Sequence, residues 1–413
     1  MLFKDLKLSD NLLKAIEEQG YSQPTLVQNQ TIPLVLAKKD VIASAQTGTG
    51  KTAAFALPII QLLESNTVKT PRPVAIKALI VSPTRELALQ IGNNFKAYAR
   101  HTNLRTAIIF GGISEKPQID ILTKGVDILI ATPGRLIDLE KQGLLSLSDI
   151  NILVLDEADL MLDMGFIDDV QHIAKLCPTN RQTLLFSATM PHKVVQLANT
   201  VLKNPERVAI TNSSITAKNI SQLIYYVPKR HKIELCLHVL RNNVKGNILI
   251  FRRTKFGVDK LESALSKNGY QVATIHGDKS QSDRQEALKK FKNGLVSILI
   301  ATDVAARGID ISELDTVINF DLPNVPETYI HRIGRTGRAG STGVAYSFCG
   351  PDEKTYVGKI ETLLQSHIPE ATNNPYPLNP KEKAVTHKPK QQKSKHKKNR
   401  KSTASKKKKK RWY

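Results

Sequence analysis

The first residues of this 413-residue chain with the spacing to do chemistry are Ala45, Gln46, Thr47, Gly48, Thr49, Gly50, Lys51 and Thr52. They follow a short apolar run and precede a helical one. There the glycines let backbone N–H groups turn inward around phosphate oxygens, and the helix N-terminus adds its positive pole. Lys51 would reach the β- and γ-phosphates of a nucleoside triphosphate, and the Thr52 hydroxyl would ligate Mg2+. The general pattern has glycine where this chain has Ala45. Further on, Val154-Leu155-Asp156-Glu157-Ala158-Asp159 sets adjacent acids at the end of an apolar strand, where ligands bind in such sheets. Asp156 can hold Mg2+ through water, and Glu157 can orient and deprotonate an attacking water. The same pair also suits a helix start capped by Asp156. A third group, His331 to Arg338, places Arg335 and Arg338 three apart behind a helical run from Glu327. Their guanidinium forks could spread over a γ-phosphate, or form a surface cluster for nucleic acid.

Three groups so far apart need a scaffold to bring them together. Short β-branched apolar runs supply candidate strands at Val41 to Ala43, Ala78 to Val81, Ile128 to Ala131, Ile152 to Leu155 and Thr183 to Phe186. Ile248 to Phe251, Ile298 to Ala301 and Thr316 to Phe320 continue the series. Such runs, apolar on both faces, read as buried parallel strands. Helical stretches such as Arg85 to Arg100 and Lys255 to Asn268 alternate with them, so the fold class is α/β. The chain also repeats itself. Ile128 to Thr132 recurs as Ile298 to Thr302, and Ala78 to Val81 aligns with Ile248 to Phe251, both at an offset of 170. Ile109 to Ser114 resembles Ile275 to Ser280 at 166. Matches in one order at nearly one offset predict two tandem copies of one fold. The expected divisions are 1–208, a polar linker at 209–219, 220–370, and a tail at 371–413.

The formal charge of +23 is unevenly spread. From Lys381 to Tyr413 there are 16 Lys or Arg against Glu382 alone, a net +15 that leaves +8 for the first 380 residues. Each phosphate such a tail neutralises releases counterions, so polyanions are its expected partners. Prolines at 375, 377, 380 and 389, followed by Lys-rich repeats, leave too little apolar surface to offset ordering, and the tail is expected to be disordered. No apolar run approaches the roughly 18–20 residues that cross a bilayer. The N-terminus alternates charged and apolar residues, unlike a secretory signal. A cytoplasmic protein without membrane partners is expected. Cys177, Cys236 and Cys349 are too scattered for a zinc cluster or a disulfide framework and read as buried thiols.

With these residues in view, the sequence resembles the DEAD-box ATP-dependent RNA helicases, and in texture their bacterial RhlE-like subgroup. The likeness runs from about Phe3 to Gly343. It rests on Gly20-Tyr21 with Pro24-Thr25 and Gln28, Ala45 to Thr52, Pro83-Thr84-Arg85-Glu86-Leu87, Gly111-Gly112 and Thr132-Pro133-Gly134-Arg135. It continues through Asp156 to Asp159, Ser187-Ala188-Thr189, Gln281-Ser282-Asp283-Arg284, Ala301-Thr302-Asp303 with Arg307-Gly308-Ile309-Asp310, and His331 to Arg338. Alanine at the first loop position is itself usual in that family.

The resemblance implies two RecA-like domains, ATP and Mg2+ as cofactors, and RNA as the partner. Gln28, with Phe3 seventeen residues before Gly20, would read the adenine edge. Ser187 and Thr189 would couple hydrolysis to strand separation. Asp303 and Asp310 would meet the nucleotide from the second domain, with Arg335 and Arg338 as arginine fingers. Pro83, Thr84, Arg85, Gly112, Thr132, Pro133, Gly134 and Arg135 would contact RNA from the first domain. Arg252, Gly277, Gln281, Arg284 and Thr302 would grip the same strand from the second. Contacts of this kind hold phosphates and sugars, so little sequence specificity is expected. Domain closure would complete the ATP site, bend the bound strand and melt a short duplex. Ribosome assembly and RNA turnover are the expected settings, with ribosomal precursors or degradation proteins as partners and the monomer as the working form. A DNA-directed helicase of the same superfamily and a passive RNA-annealing protein working through its tail are the alternatives.

Overall fold

A computed structural model describes residues 2–46, 48–65, 75–210, 220–244, 246–306, 314–337 and 342–379. Two parallel sheets organise them. The first comprises β1 (Val41–Ser44), β2 (Ala78–Val81), β3 (Thr106–Ile109), β4 (Ile128–Ala131), β5 (Ile152–Leu155), β6 (Gln182–Ser187) and β7 (Glu206–Ala209). The second comprises β8 (Ile220–Tyr226), β9 (Ile248–Arg252), β10 (Val272–Ile275), β11 (Ile298–Thr302), β12 (Thr316–Asn319) and β13 (Gly343–Cys349). Their spatial orders are β3-β4-β2-β5-β6-β1-β7 and β10-β11-β9-β12-β13-β8. The orders coincide strand for strand except that the first sheet adds β7, so the tandem repeat is one of topology. The two offsets have a structural basis as well. Ile109 pairs with Ala131 and Ile275 with Ala301, so each matched loop leaves the sheet at the same register.

All-parallel strands need both faces covered, and the central ones are. Every residue of β2, β4 and β5 is buried. One face of the first sheet packs on Phe55, Phe95 and Phe186, with the Phe55 and Phe186 rings 5.1 Å apart. The other is filled by Leu136, Met161, Ile173 and Leu197. In the second sheet Tyr225, Phe320 and Phe348 form the equivalent aromatic centre. Helices start where hydroxyl caps allow. Thr84 Oγ1 accepts from Leu87 N at 3.3 Å to open helix Arg85–Tyr98, and Thr254 Oγ1 accepts from Gly257 N at 3.1 Å to open helix Lys255–Lys267. These caps are again 170 apart. All three cysteines are buried and unpaired.

The expected end of the second domain needs moving. Residues 371–379, placed with the tail, lie against β8: Ala371 N donates to Ile224 O at 2.9 Å and Leu378 N to Tyr226 O at 3.0 Å. Tyr376 stacks on His231 with ring centres 5.2 Å apart. A few well-placed apolar and amide side chains outweigh the proline content there. At the other junction β7 runs through Ala209, the first residue of the expected linker; 211–219 and 380–413 lie outside the described residues. Among the described residues no helix is long and apolar enough to cross a membrane.

Candidate functional site

β1 feeds the phosphate loop, whose start is fixed by Ala45 N donating to Ser187 O of β6 at 3.0 Å. Gly48 and Gly50 have φ of 88° and 89°, the left-handed backbone that an inward-turned loop requires. Gly50 then opens helix Lys51–Glu64. Gln28 buttresses this turn. Its Oε1 accepts from Thr25 N at 2.9 Å, and its Nε2 donates to Gly50 O at 3.1 Å. A Cβ on Gly50 would lie 2.4 Å from Gln28 Nε2 and push that amide off the loop, so the φ that requires glycine also protects the Gln28 contact. Gly50→Ala is expected to cost about 1–3 kcal/mol in stability and to weaken nucleotide binding. Urea denaturation with a nucleotide titration would check both, and wild-type values in both would contradict the cradle.

Asp156 and Glu157 leave the end of β5. Glu157 has φ 54° and ψ 55°, a left-handed non-glycine residue capping helix Ala158–Asp163. That strain turns its side chain toward the loop, where Oε1 meets Lys51 Nζ at 2.7 Å with both groups buried. Burial alone would lower the Lys51 pKa, but Glu157, Asp156 and Asp159 outweigh it and hold the ammonium above its ordinary range. Asp156 is 2 % exposed, and burial pushes its carboxyl up to about 7 against the pull of Lys51. Its Oδ1 has no hydrogen-bond partner. An orphaned carboxylate oxygen beside Thr52, lining one cavity of about 460 Å³, suits Mg2+, which binds through one or two such groups plus waters and phosphates. Gln28, Gly48, Gly50, Lys51 and Glu157 line the same cavity, as does Tyr21.

Behind Glu157 a hydroxyl–carboxylate relay joins two motifs. Asp159 Oδ2 accepts from Thr189 N and Oγ1 at 2.8 and 2.9 Å, Asp159 N donates to Ser187 Oγ at 3.2 Å, and Ser187 Oγ donates to Thr189 O at 2.6 Å. Burial tends to raise the Asp159 carboxyl, yet His331, Lys51 and Thr189 together hold it below its ordinary value. His331 belongs to helix Pro326–Ile333 of the second sheet's domain, so this attraction crosses between domains. A cavity of about 480 Å³ lies at that junction, lined by Glu157, Asp159 and Thr189 on one side and by Glu327, His331 and Arg335 on the other.

A second junction cavity, about 690 Å³, is lined by Pro83, Thr84, Arg85, Thr132, Gly134 and Arg135 from one domain, and by Gly277 and Arg284 from the other. Glu86 joins the halves. Its Oε1 accepts from Gln281 Nε2 at 3.1 Å and pairs with Arg284 Nη2 at 3.1 Å. Gly112 has φ 79°, which favours glycine, and the Arg85 guanidinium packs closely over it.

Comparison with known proteins bears directly on this pair of clefts. Residues 25–197 match the DEAD/DEAH box helicase model, and residues 231–340 match the helicase conserved C-terminal domain. The DEAD-box ATP-dependent RNA helicase CshA of Bacillus licheniformis is 45 % identical over 359 residues, 87 % of this chain and 72 % of that protein. The chain belongs to the DEAD-box ATP-dependent RNA helicase family. RhpA of Helicobacter pylori, a DEAD-box ATP-dependent RNA helicase, is 42 % identical over 366 residues, 89 % of this chain and 73 % of that one. S. cerevisiae Dbp5 bound to RNA and ADP BeF3 aligns with a TM-score of 0.79 and 31 % identity, over 90 % of this chain and 95 % of that chain.

Not all of the expected positions line these cavities. Phe3 does not line the nucleotide cavity: it is 5 % exposed and packs into the core, because the single turn Phe3–Leu6 folds its apolar side chains inward. Asp303 is held by Arg332, with Nε–Oδ1 at 2.6 Å and Nη2–Oδ2 at 2.7 Å, in a bidentate fork. Arg252 lies over the Phe320 ring at 4.1 Å, with its Nε 3.4 Å from Asp321, outside the second cavity. Thr302, at the end of β11, pairs with Arg252 and is likewise not in its lining, nor are Pro133 and Gln281. Thr47, Asp310 and Arg338 lie outside the described residues. Tyr21, Glu86, Asp159 and His331 have site positions that sequence reasoning quoted within motifs without assigning roles.

Proposed function

We propose that this chain hydrolyses ATP as its two domains close on RNA, and that closure locally separates or remodels a short duplex. The observation that carries the reading is that one junction forms two clefts. Glu157 and Arg335 share the first, while Arg85, Arg135, Gly277 and Arg284 share the second, so one movement completes both. Lys51 and the loop glycines hold the triphosphate, and Glu157 takes the proton of the attacking water. Asp156 and Thr52 hold Mg2+, which neutralises phosphate charge when bound. Asp159, Ser187 and Thr189 tie the acid strand to its neighbour, and Asp159 and His331 face the same junction cavity from opposite domains. The proposed division runs 1–208, 209–219 and 220 onward, with the protein working as a monomer. The RhlE-like subgroup, suggested by motif texture, is part of the proposal, although the matched relatives are named CshA and RhpA. Ribosome assembly or RNA turnover is the proposed setting, in a cytoplasm whose reducing conditions suit three buried thiols.

Comparing ATP turnover in the presence of equal lengths of RNA and DNA tests the reading. RNA should stimulate strongly, and equal stimulation by DNA would favour the DNA-directed alternative. Deleting 381–413, which carries 16 Lys or Arg, should weaken RNA affinity and flatten its dependence on salt. An unchanged slope of log affinity against log salt would show that this segment binds no phosphates.

A further inference from the structure

Phe256 is the most exposed large apolar side chain among the described residues, with 73 % of its surface open. Exposure alone signifies little, since single apolar side chains are common on surfaces. Its setting is what distinguishes it. Phe256 stands in the first turn of helix Lys255–Lys267, off the stripe Val258, Leu261 and Leu265 that packs on the second sheet, so the core is complete without it. Two polar links fasten that turn to the loop after β10: Lys255 Nζ meets Asp278 Oδ2 at 2.6 Å, and Asp259 Oδ1 meets His276 Nε2 at 3.0 Å. At about 100° of rotation per residue, Phe256 falls on the same half of the helix as those two anchors. Gly277, between the anchored residues of the loop, lines the groove assigned to RNA. The Lys255 ammonium is 5.3 Å from the centre of the Phe256 ring.

We propose that Phe256 is a stacking platform for one nucleobase of the bound RNA strand, beside the phosphate-gripping groove on the second domain. The inference rests on the RNA reading above and adds to it a contact with a base rather than with the backbone. An aromatic face next to cations is how single-stranded nucleic acid is held without sequence preference, because every base offers a π-face. The turn that carries the ring is fastened by the Lys255–Asp278 and Asp259–His276 links, so the backbone beneath it needs little ordering on stacking.

The test uses the full chain, a short single-stranded oligoribonucleotide and a non-hydrolysable ATP analogue. Phe256→Ala and Phe256→Leu should each bind about tenfold more weakly, within the range that loss of one base stack gives, while Phe256→Trp should bind as the parent does. The loss should be equal at all salt concentrations, since no phosphate contact is removed, whereas Lys255→Ala should reduce the salt slope. A fluorescent purine analogue walked along the strand should be quenched at one position by the parent and by Phe256→Trp, and not by Phe256→Leu. Undiminished binding by Phe256→Ala and Phe256→Leu overturns the inference and leaves the RNA reading standing. A parent chain that ignores the oligoribonucleotide takes both down.

Discussion

Replacing Glu157 by Gln is expected to slow ATP turnover by roughly a hundred- to ten-thousandfold, the usual contribution of a positioned general base, while ATP and RNA still bind. The carboxylate stands on a strained turn at the end of β5, within the cavity that Arg335 closes. Glutamine keeps the size and polarity of the side chain but cannot accept the proton of an attacking water. Single-turnover hydrolysis under saturating RNA reads the chemical step, and a fluorescent nucleotide titration reads binding. Parental turnover in the variant would remove Glu157 from the mechanism; a lost nucleotide signal would make it a structural support for the loop.

Arg335→Ala is expected to lower turnover by roughly a thousandfold or more, the contribution an arginine finger makes to phosphoryl transfer. Arg335 is 5 % exposed and reaches the cavity from the opposite domain, so its charge acts only when the domains meet. Nucleotide affinity of the open protein should change little, and the effect should fall on kcat with RNA saturating. Arg335→Lys should recover little, because a point charge cannot span two phosphate oxygens as a guanidinium fork does. If the alanine variant turns over within a factor of a few of the parent, the two halves do not form one catalytic site.

The strands that position these groups were legible because parallel strands covered on both faces leave unbroken apolar runs. All eight predicted runs fall on strands, from β1 to β12. β8 escaped notice because this edge strand opens on polar residues: Ser221 is exposed and Gln222 half-buried, which breaks the apolar run after Ile220. β13 carries Ser347 in its middle, satisfied by Asn319 Nδ2 at 3.3 Å, a pairing that one-dimensional reading cannot see. The motifs told which residue types gather at the site and much less about which partner each one faces. Arg332 and Arg335 are three residues apart in one motif, yet the first turns inward to Asp303, Asn319 and the Asp321 carbonyl, and the second turns to the junction. Glu86 had a signal that went unused, namely an acid in the middle of a face otherwise built for phosphate. Phe3 is buried in the core, since a lone aromatic near a binding motif is also what a core needs.

The 2.7 Å pair between Lys51 and Glu157 makes nucleotide binding an exchange rather than an addition. The lysine proposed to hold the phosphates already gives one of its three N–H donors to the carboxylate proposed to act on water, so an arriving triphosphate must share or take over that donor. Each group is withheld from its task until the substrate separates them, which leaves the base masked whenever the site is empty.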